Sequence, residues 1–221
     1  MRSQLETKPI GLLGGTFDPL HYGHLRLAEE ARDALGLDRV LIVPCGLPPH
    51  RDRPVATAGE RLEMARLGIT GNPFFELETG EAAAEAPSYT VVTLERLRAR
   101  FGSARALVLL VGSDAFMGLA GWNRWRELFS LAHLGVARRP GSPLDAAGMP
   151  AELAEQYERR RTPCLPESAA SGAIVEFATT ALDISASRIR ASVARSVSVR
   201  YLLPDSVLDY IERHRLYRNE P

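Results

Sequence analysis

Three features of the sequence predict an α/β fold with a doubly wound parallel sheet and helices on both faces. Short apolar runs alternate with segments of helical spacing along the whole chain. Most of the apolar runs end at glycine, proline or charged residues, as strands that enter loops do. With 221 residues, of which 45% are hydrophobic, the chain is long enough and apolar enough to build one large α/β domain.

The elements follow in order along the chain. Strands are predicted at residues 10–13, 40–43, 74–77, 106–111, 131–137 and 173–178. Helices are predicted at residues 25–35, 60–67, 88–101 and 151–160, with further helices starting at Ser185 and at Pro204, and Ser88 is expected to be the N-cap of the third. Residues 44–54 contain four prolines and form a loop. We expect one domain spanning residues 1–221, with a variable insertion at about 140–172 where small residues predominate.

Composition narrows the classes of partner and the compartment. The net charge is zero and the pI is about 7.0, so no basic field indicates a nucleic-acid partner. Lys8 is the only lysine, and arginines are so frequent that a single one carries little information. Cys45 and Cys164 lie far apart and suggest no disulfide framework, no signal-peptide core precedes Pro9, and no apolar run is long enough for a membrane. A cytoplasmic protein without a membrane partner is the expectation.

The first motif, Gly14-Gly15-Thr16-Phe17-Asp18-Pro19 with His21 and His24, follows the first predicted strand. Gly14 and Gly15 allow the backbone to approach a ligand, and a helix starting near Tyr22 offers unpaired N–H groups to phosphate. His21 and His24 are three residues apart and can face one site. The motif is neither a P-loop nor a dinucleotide fingerprint. A zinc site is not expected either, because the isolated cysteines provide no second pair of ligands.

Other polar segments also follow predicted strands, namely residues 44–50, Gly112-Ser113-Asp114 and Arg138-Arg139. Ligands of parallel α/β sheets bind at the carboxyl edge, where strand order reverses. We therefore expect these segments and the glycine loop to converge on a single active site.

A second motif reads Ile184-Ser185-Ala186-Ser187-Arg188-Ile189-Arg190. Ser185 can serve as a helix N-cap or as a phosphate donor, and Ser187 adds a hydroxyl on the first turn. Arg188 and Arg190 are two residues apart, so only one of them is expected to face the site. Taken alone, this segment is better explained as a capped surface helix with exposed arginines than as part of a phosphate site.

Together the two motifs resemble those of the nucleotidyltransferase superfamily that shares the HIGH-type site with class I aminoacyl-tRNA synthetases. The chain is more closely similar to the bacterial nicotinate-nucleotide adenylyltransferase family. Matching segments occur in the same order over nearly the whole chain: Pro48-Pro49-His50-Arg51, Ala86-Pro87-Ser88-Tyr89-Thr90, Gly112-Ser113-Asp114, Trp122, Arg138-Arg139-Pro140-Gly141, Leu203-Pro204-Asp205 and Tyr210-Ile211. Asn123 departs from the family, which often has an aromatic residue there, and Trp125 either replaces part of that surface or belongs to the core.

The resemblance implies a Rossmann-like fold and a reaction in which ATP and nicotinate mononucleotide give nicotinate adenine dinucleotide and pyrophosphate, without a covalent enzyme intermediate. It implies Mg²⁺ held mainly by substrate phosphates and water, with no metal ligand from the protein. His21 and His24 would be the catalytic residues. The implied ATP-binding residues are Gly14, Gly15, Thr16, Phe17, Asp114, Arg139, Ile184, Ser185, Ser187 and Arg190. The implied nicotinate mononucleotide-binding residues are His50, Tyr89, Thr90 and Trp122.

Three alternatives remain open at this point. The acceptor could be phosphopantetheine, although such proteins are typically shorter and lack a ring platform of the Trp122 type. The acceptor could also be nicotinamide mononucleotide, since one amide in place of a carboxylate leaves no clear trace in side-chain identities. Finally, the fold could serve a non-catalytic nucleotide sensor. The intact His21, His24 and Ser185 argue against a sensor, which has no transition state to stabilise.

Overall fold

The computed structural model describes residues 8–47, 53–83, 87–138, 144–180 and 182–218. The strands are β1 Ile10–Gly15, β2 Arg39–Pro44, β3 Phe75–Leu77, β4 Leu107–Gly112, β5 His133–Arg138 and β6 Ile174–Ala178. The helices are α1 Tyr22–Ala34, α2 Ala58–Ile69, α3 Thr90–Phe101, α4 Ser113–Met117, α5 Leu128–Leu131, α6 Ala151–Arg160, α7 Ala186–Ala194 and α8 Asp205–Arg213. Short 3₁₀ turns lie at Leu119–Gly121, Trp125–Glu127 and Ala146–Gly148.

The six strands form one sheet in the order β3-β2-β1-β4-β5-β6. β4 pairs in parallel with β1 and with β5, and β5 pairs in parallel with β6, with Leu12 opposite Leu109 and Leu109 opposite Leu134. The order reverses between β1 and β4, which is the doubly wound arrangement in which right-handed connections place helices on both faces. The predicted α/β fold with a Rossmann-like parallel sheet is confirmed.

The chain divides into two compact units. Unit 1 comprises Met1–Leu13, Leu27–Leu41 and Tyr89–Ala181, and unit 2 comprises Gly14–Arg26, Ile42–Ser88 and Leu182–Pro221. The expectation of one domain over residues 1–221 stays a prediction. No helix within the described ranges has the length and apolar character needed to cross a membrane.

The core of unit 1 is built around β4 and β5, whose apolar residues are buried. A Cβ placed on Gly135 of β5 would lie 2.8 Å from a methyl of Leu35 and 2.9 Å from a methyl of Leu110. Because real Cβ contacts are not this short, only glycine allows these side chains to pack over the strand. Close packing of this kind makes the core sensitive to single added methyl groups.

His133, at the start of β5, connects this core to the loop before β6 by two hydrogen bonds. The ring is fully buried, its Nδ1 accepts a hydrogen bond from the N–H of Ala173 at 3.0 Å, and its Nε2 lies 3.0 Å from the carbonyl of Ala169. Because Nδ1 must be an acceptor, the neutral ring carries its proton on Nε2 and donates it to Ala169. Burial lowers the pKa of His133, which keeps the ring neutral.

Unit 2 has its own apolar cluster. Its buried members are Ala56, Met64, Ile189, Val199, Leu203, Val207, Leu208, Ile211 and Tyr217. Helix α2 begins with a capping box, in which Thr57 Oγ1 accepts from the N–H of Glu60 and the Glu60 carboxylate accepts from the N–H of Thr57. The box fixes where α2 starts and therefore which of its residues face the cluster.

Most predicted elements are found within a few residues of their predicted bounds, and the helix at 151–160 coincides with α6. The role given to Ser88 is wrong: Tyr89 occupies the N-cap position of α3, and Ser88 Oγ instead accepts a hydrogen bond from the N–H of Gly46. Leu131 ends the short helix α5 rather than starting β5. In the described part of the region 140–172, α6 belongs to unit 1 and buries Leu153 and Tyr157. His50 and Arg139 lie outside the described residues.

We expect acid to weaken the fold through His133. The unfolded chain protonates this histidine below its ordinary pKa of about 6.5, whereas the folded chain resists protonation. Stability is therefore retained above pH 6.5 and is lost as the pH falls below it, at up to about 1.4 kcal/mol per pH unit. Urea unfolding of the wild type and of His133→Gln between pH 8 and pH 5 checks this. The free energy of unfolding of the variant should fall less steeply with decreasing pH. Identical slopes would contradict the assignment.

Candidate active site

The loop after β1 leads into the start of α1, and both lie mainly in unit 2. Gly14 is exposed, and a Cβ placed on it would meet no atom within 4 Å, so the backbone there borders open space. Phe17 is 1% exposed and has a φ of 48°, a left-handed conformation that is uncommon for a bulky residue. The N–H of Tyr22 donates to the carbonyl of Leu202. That N–H group at the start of α1 is therefore not available to a ligand.

His21 and His24 form a stacked pair at the start of α1. Their ring centroids are 3.7 Å apart with an interplanar angle of 23°, and the edge of Phe17 packs against His24. His24 Nδ1 accepts a hydrogen bond from the N–H of His21 at 3.3 Å. The proton of the neutral His24 ring is therefore on Nε2, which remains able to donate. The two rings therefore lie side by side, as their three-residue spacing allows.

Both histidines are held neutral. Burial lowers the pKa of His21 to about 4, and the ring is only 5% exposed. Burial and then the neighbouring His21 lower the pKa of His24 well below its ordinary value. Two imidazoles in contact cannot readily carry two positive charges. At neutral pH the pair therefore offers neutral N–H donors rather than cations.

Gly23 allows His21 to lie where it does. A Cβ on Gly23 would be 3.0 Å from both Cε1 and Nδ1 of His21 and 3.6 Å from the carbonyl oxygen of Ile184. His21 Nδ1 is buried and has no hydrogen-bond partner among the described residues. The absence of a side chain at Gly23 thus leaves room for the ring close to α1.

Asp18 is the most highly connected residue of the first motif. Its Oδ2 accepts from the N–H of Val55 at 2.8 Å, and its Oδ1 accepts from the N–H of Ala56 at 3.2 Å and from the hydroxyl of Tyr217 at 2.7 Å. The residue is 3% exposed. Burial of the Tyr217 hydroxyl, and then the neighbouring Asp18 carboxyl, raise the pKa of this hydroxyl and keep it a donor. These contacts fix the loop to the start of α2 and to the end of the described chain.

The second motif reaches the same loop. Ser185 is the N-cap of α7, as predicted, with its Oγ accepting from the N–H of Arg188, and Ser187 Oγ lies 3.4 Å from Ser185 Oγ. Arg188 pairs with exposed Asp183, whereas Arg190 Nη1 donates to the carbonyl oxygen of Asp18 at 2.7 Å. The two arginines therefore point in different directions, as their spacing predicts.

Arg61 of α2 also contacts the loop, and the sequence analysis did not single it out among the many arginines. Its side chain is almost completely buried. Nη1 donates to the carbonyl of Thr16 at 2.8 Å and to that of Cys45 at 2.6 Å, and Nη2 donates to the carbonyl of Gly46 at 2.7 Å. This guanidinium joins the loop after β1 to the loop after β2.

Sequence reasoning also missed the structural roles of Asp18 and Tyr217. A signal existed for Arg61, which shares the buried side of α2 with Met64 and Ala65 at helical spacing. No comparable signal existed for Asp18 or Tyr217. Hydrogen bonds between residues 199 positions apart leave no local pattern.

The remaining candidate residues belong to unit 1. Tyr89 precedes α3 and provides no side-chain cap, and Thr90 is the first residue of that helix. Asp114 lies exposed in the first turn of α4, directly after β4. Trp122 is half-buried and follows a 3₁₀ turn, whereas Trp125 is 5% exposed and belongs to the core. The second of the two possibilities for Trp125 is therefore the correct one.

Comparison with known proteins places the chain in a family. Residues 12–192 match the family model described as cytidylyltransferase-like. A Dechloromonas aromatica protein with the name probable nicotinate-nucleotide adenylyltransferase is 56% identical over 215 residues, covering 96% of this chain and 99% of that protein. A Cellvibrio japonicus protein of the same name is 44% identical, covering 95% of this chain and 98% of that protein. The chain belongs to the nicotinate-nucleotide adenylyltransferase family. The predicted resemblance, and membership among nucleotidyltransferases, are confirmed.

Solved structures support the same fold. The Plasmodium falciparum nicotinic acid mononucleotide adenylyltransferase complexed with NaAD matches with a TM-score of 0.71 at 15% identity, covering 95% of this chain and 97% of that one. A Vibrio parahaemolyticus structure described as a putative nicotinate-nucleotide adenylyltransferase matches with a TM-score of 0.61 at 16% identity, covering 96% and 97%. At these identities the likeness concerns the fold.

We expect Tyr217→Phe to destabilise the protein by about 1.5–3 kcal/mol, the range for hydrogen bonds to charged groups. The variant removes one of three donors to the buried Asp18 carboxyl and leaves the ring in place. Tyr201→Phe is the matched control, because Tyr201 is 80% exposed, and its stability should stay near wild type. Urea midpoints measure both. Equal midpoints for the two variants would mean that the hydroxyl of Tyr217 contributes nothing.

Proposed function

We propose that this protein transfers the adenylyl group of ATP to nicotinate mononucleotide, giving nicotinate adenine dinucleotide and pyrophosphate. A phosphate oxygen of the mononucleotide attacks the α-phosphorus of ATP. The bond from that phosphorus to the bridging oxygen breaks, and pyrophosphate leaves with the electron pair. The nucleophile is already a phosphate, so the reaction needs alignment and charge stabilisation rather than a covalent enzyme group.

The observation that carries this proposal is the hydrogen bond from Arg190 to the carbonyl of Asp18, which joins motifs 172 residues apart. Through it, the histidine pair and the start of α7 with Ser185 and Ser187 belong to one compact unit. An assembly of backbone N–H groups, hydroxyls and imidazole N–H donors is suited to a triphosphate. The family membership of the chain supports the same reaction.

We assign His21 and His24 to the α- and β-phosphates as donors in the transition state. His24 Nε2 carries the donor proton because Nδ1 already accepts from the backbone. Approach of a polyphosphate raises the pKa of a nearby histidine, so the neutral pair can take up a positive charge as negative charge gathers on the phosphates. The phosphates would lie against the backbone of Gly14, Gly15, Thr16 and Phe17.

Mg²⁺ enters as part of the substrate, Mg·ATP, in this proposal. Both carboxyl oxygens of Asp18 already accept protein hydrogen bonds, so they are poor candidates for metal ligands. Within the described ranges, no group of three or more His, Cys, Asp and Glu side chains could hold a metal ion. Mg²⁺ readily keeps its waters and binds substrate phosphates, which suits a site with these residues.

The remaining candidate residues would contact the nucleosides. We assign Asp114 and Arg139 to the adenosine end of ATP, with the backbone of Ile184 beside it. We assign His50 and Trp122 to the mononucleotide. The start of α3 has N–H groups that Tyr89 does not cap with its side chain, and these would receive the nicotinate carboxylate. Trp122 would stack on the pyridine ring.

His24→Ala should fold normally and lower turnover by roughly 10²–10³-fold, the scale for losing one transition-state donor. Pyrophosphate release from Mg·ATP and nicotinate mononucleotide measures this, and His21→Ala should behave similarly. His214→Ala is the control, since it removes an exposed histidine at the end of α8. A folded His24→Ala protein with wild-type turnover would remove the histidines from the mechanism.

Substrate choice provides the second test. A carboxylate accepts charge-assisted hydrogen bonds from N–H donors, about twice as strong as neutral ones. The amide of nicotinamide mononucleotide would turn its own N–H donors toward these protein N–H groups. Each protein donor left without an acceptor would then cost about 1–3 kcal/mol. Two such contacts give a preference of roughly a hundredfold or more for the acid in kcat/KM.

The measurement compares kcat/KM for both mononucleotides under identical Mg·ATP, with phosphopantetheine as a third acceptor. Equal values, or a preference for the amide, would overturn the acceptor assignment and leave adenylyl transfer standing. Activity only with phosphopantetheine would assign a different acceptor. ATP binding without pyrophosphate release from any acceptor would favour a sensor.

A further inference from the structure

Arg61 is an unusual arginine because its charge is buried against neutral partners. The side chain is 1% exposed, and it donates to three backbone carbonyls, those of Thr16, Cys45 and Gly46, and more weakly to the Cys45 sulfur. Among the described residues, no carboxylate forms an ion pair with it. Burial of a charge is costly unless hydrogen bonds or counter-charges compensate. A core position on α2 could be filled at lower cost by an apolar residue, so stability alone does not explain an arginine here.

The contact with Thr16 links this charge to the loop after β1. Arg61 Nη1 lies 2.8 Å from the carbonyl oxygen of Thr16, and that carbonyl belongs to the peptide group that also contains the N–H of Phe17. The C=O and N–H of a trans peptide point in opposite directions. The N–H of Phe17 therefore points away from the guanidinium, and no described residue accepts a hydrogen bond from it.

The conformation of Phe17 depends on this arrangement. Its φ of 48° lies in the left-handed region, which costs free energy for a bulky residue and persists only where surrounding contacts impose it. Segment 55–61 supplies those contacts on both sides of Phe17. Arg61 binds the carbonyl before it, and the N–H groups of Val55 and Ala56 bind the Asp18 carboxyl after it.

We propose that Arg61 is a positioning residue for the adenylyl transfer, holding and polarising the Thr16–Phe17 peptide so that the N–H of Phe17 donates to the phosphate being transferred. A cation on the carbonyl side of a peptide strengthens the N–H on the other side as a donor, since hydrogen bonds in a chain polarise one another. The buried charge also adds positive potential beside the loop. The inference rests on the proposed function and adds a residue that touches no substrate.

The first experiment compares Arg61→Lys and Arg61→Met with matched variants of Arg98. Arg98 likewise donates to backbone carbonyls, but these are the carbonyls of Arg105, Leu131 and Ala170, which all belong to unit 1. Arg98→Lys and Arg98→Met should lower the urea midpoint and leave kcat unchanged. Arg61→Lys should lower kcat by on the order of 10²-fold, as for misplaced catalytic groups, and Arg61→Met should lower it further. KM for the mononucleotide should change little, as expected when a transition-state interaction is lost.

Retention of wild-type kcat by folded Arg61→Lys and Arg61→Met, with lowered midpoints as for Arg98, would overturn the proposal. A second measurement uses the wild-type protein and Mg·ATP alone. The amide proton of Phe17 should shift downfield in the NMR spectrum when Mg·ATP binds, and by less in Arg61→Lys. If neither Arg61 variant folds, the wild-type spectrum decides, and a Phe17 amide unmoved by bound Mg·ATP overturns the proposal. The NMR measurement uses no acceptor substrate, so its result stands even if the acceptor assignment is wrong.

Discussion

The carboxyl group of Asp18 accepts hydrogen bonds from residues 37, 38 and 199 positions away in the sequence. The backbone carbonyl of the same residue accepts from Arg190 of the second motif. A buried carboxyl must have all its acceptors satisfied, or it destabilises the fold by several kcal/mol. The loop after β1, the start of α2, the start of α7 and the C-terminal Tyr217 are therefore constrained together. The geometry of the histidine pair depends on this constraint, because His21 follows the loop directly.

Neutral histidines, strained backbone and a buried arginine all contact or lie in the loop after β1 and the start of α1 in unit 2. Each is unfavourable alone: burial disfavours charge on His21, Arg61 is desolvated, and Phe17 has a positive φ. Such features gather where a site is organised before its ligand arrives. Phosphoryl chemistry gains from donors that need no rearrangement as charge develops. This explains why the rest of unit 2, with its capped helix and apolar cluster, must supply the compensating stability.

Sequence patterns predicted much of this architecture because the information was local. Apolar runs gave all six strands within a few residues, and α6 coincides with its prediction. Ser185 caps α7 as expected, since a serine before a helical segment satisfies backbone N–H groups wherever the helix lies. Ser88 carries the same local signal, yet its hydroxyl accepts from Gly46 instead. A capping residue has alternatives whenever tertiary structure brings another donor close, and the sequence does not show that competition.

The sequence by itself determined the fold class, the two motifs, the family resemblance and the placement of His21 and His24 on one helical turn. All of these depend on spacing within a few residues or on matches to known motifs. Only the tertiary structure decided the tautomer of His24, the stacking of the pair, the orientation of Arg190, and the roles of Asp18, Arg61 and Tyr217. The physical reason is that these residues bind backbone groups distant in sequence. A backbone carbonyl or N–H is present at nearly every position and marks none of them as a partner until the chain has folded.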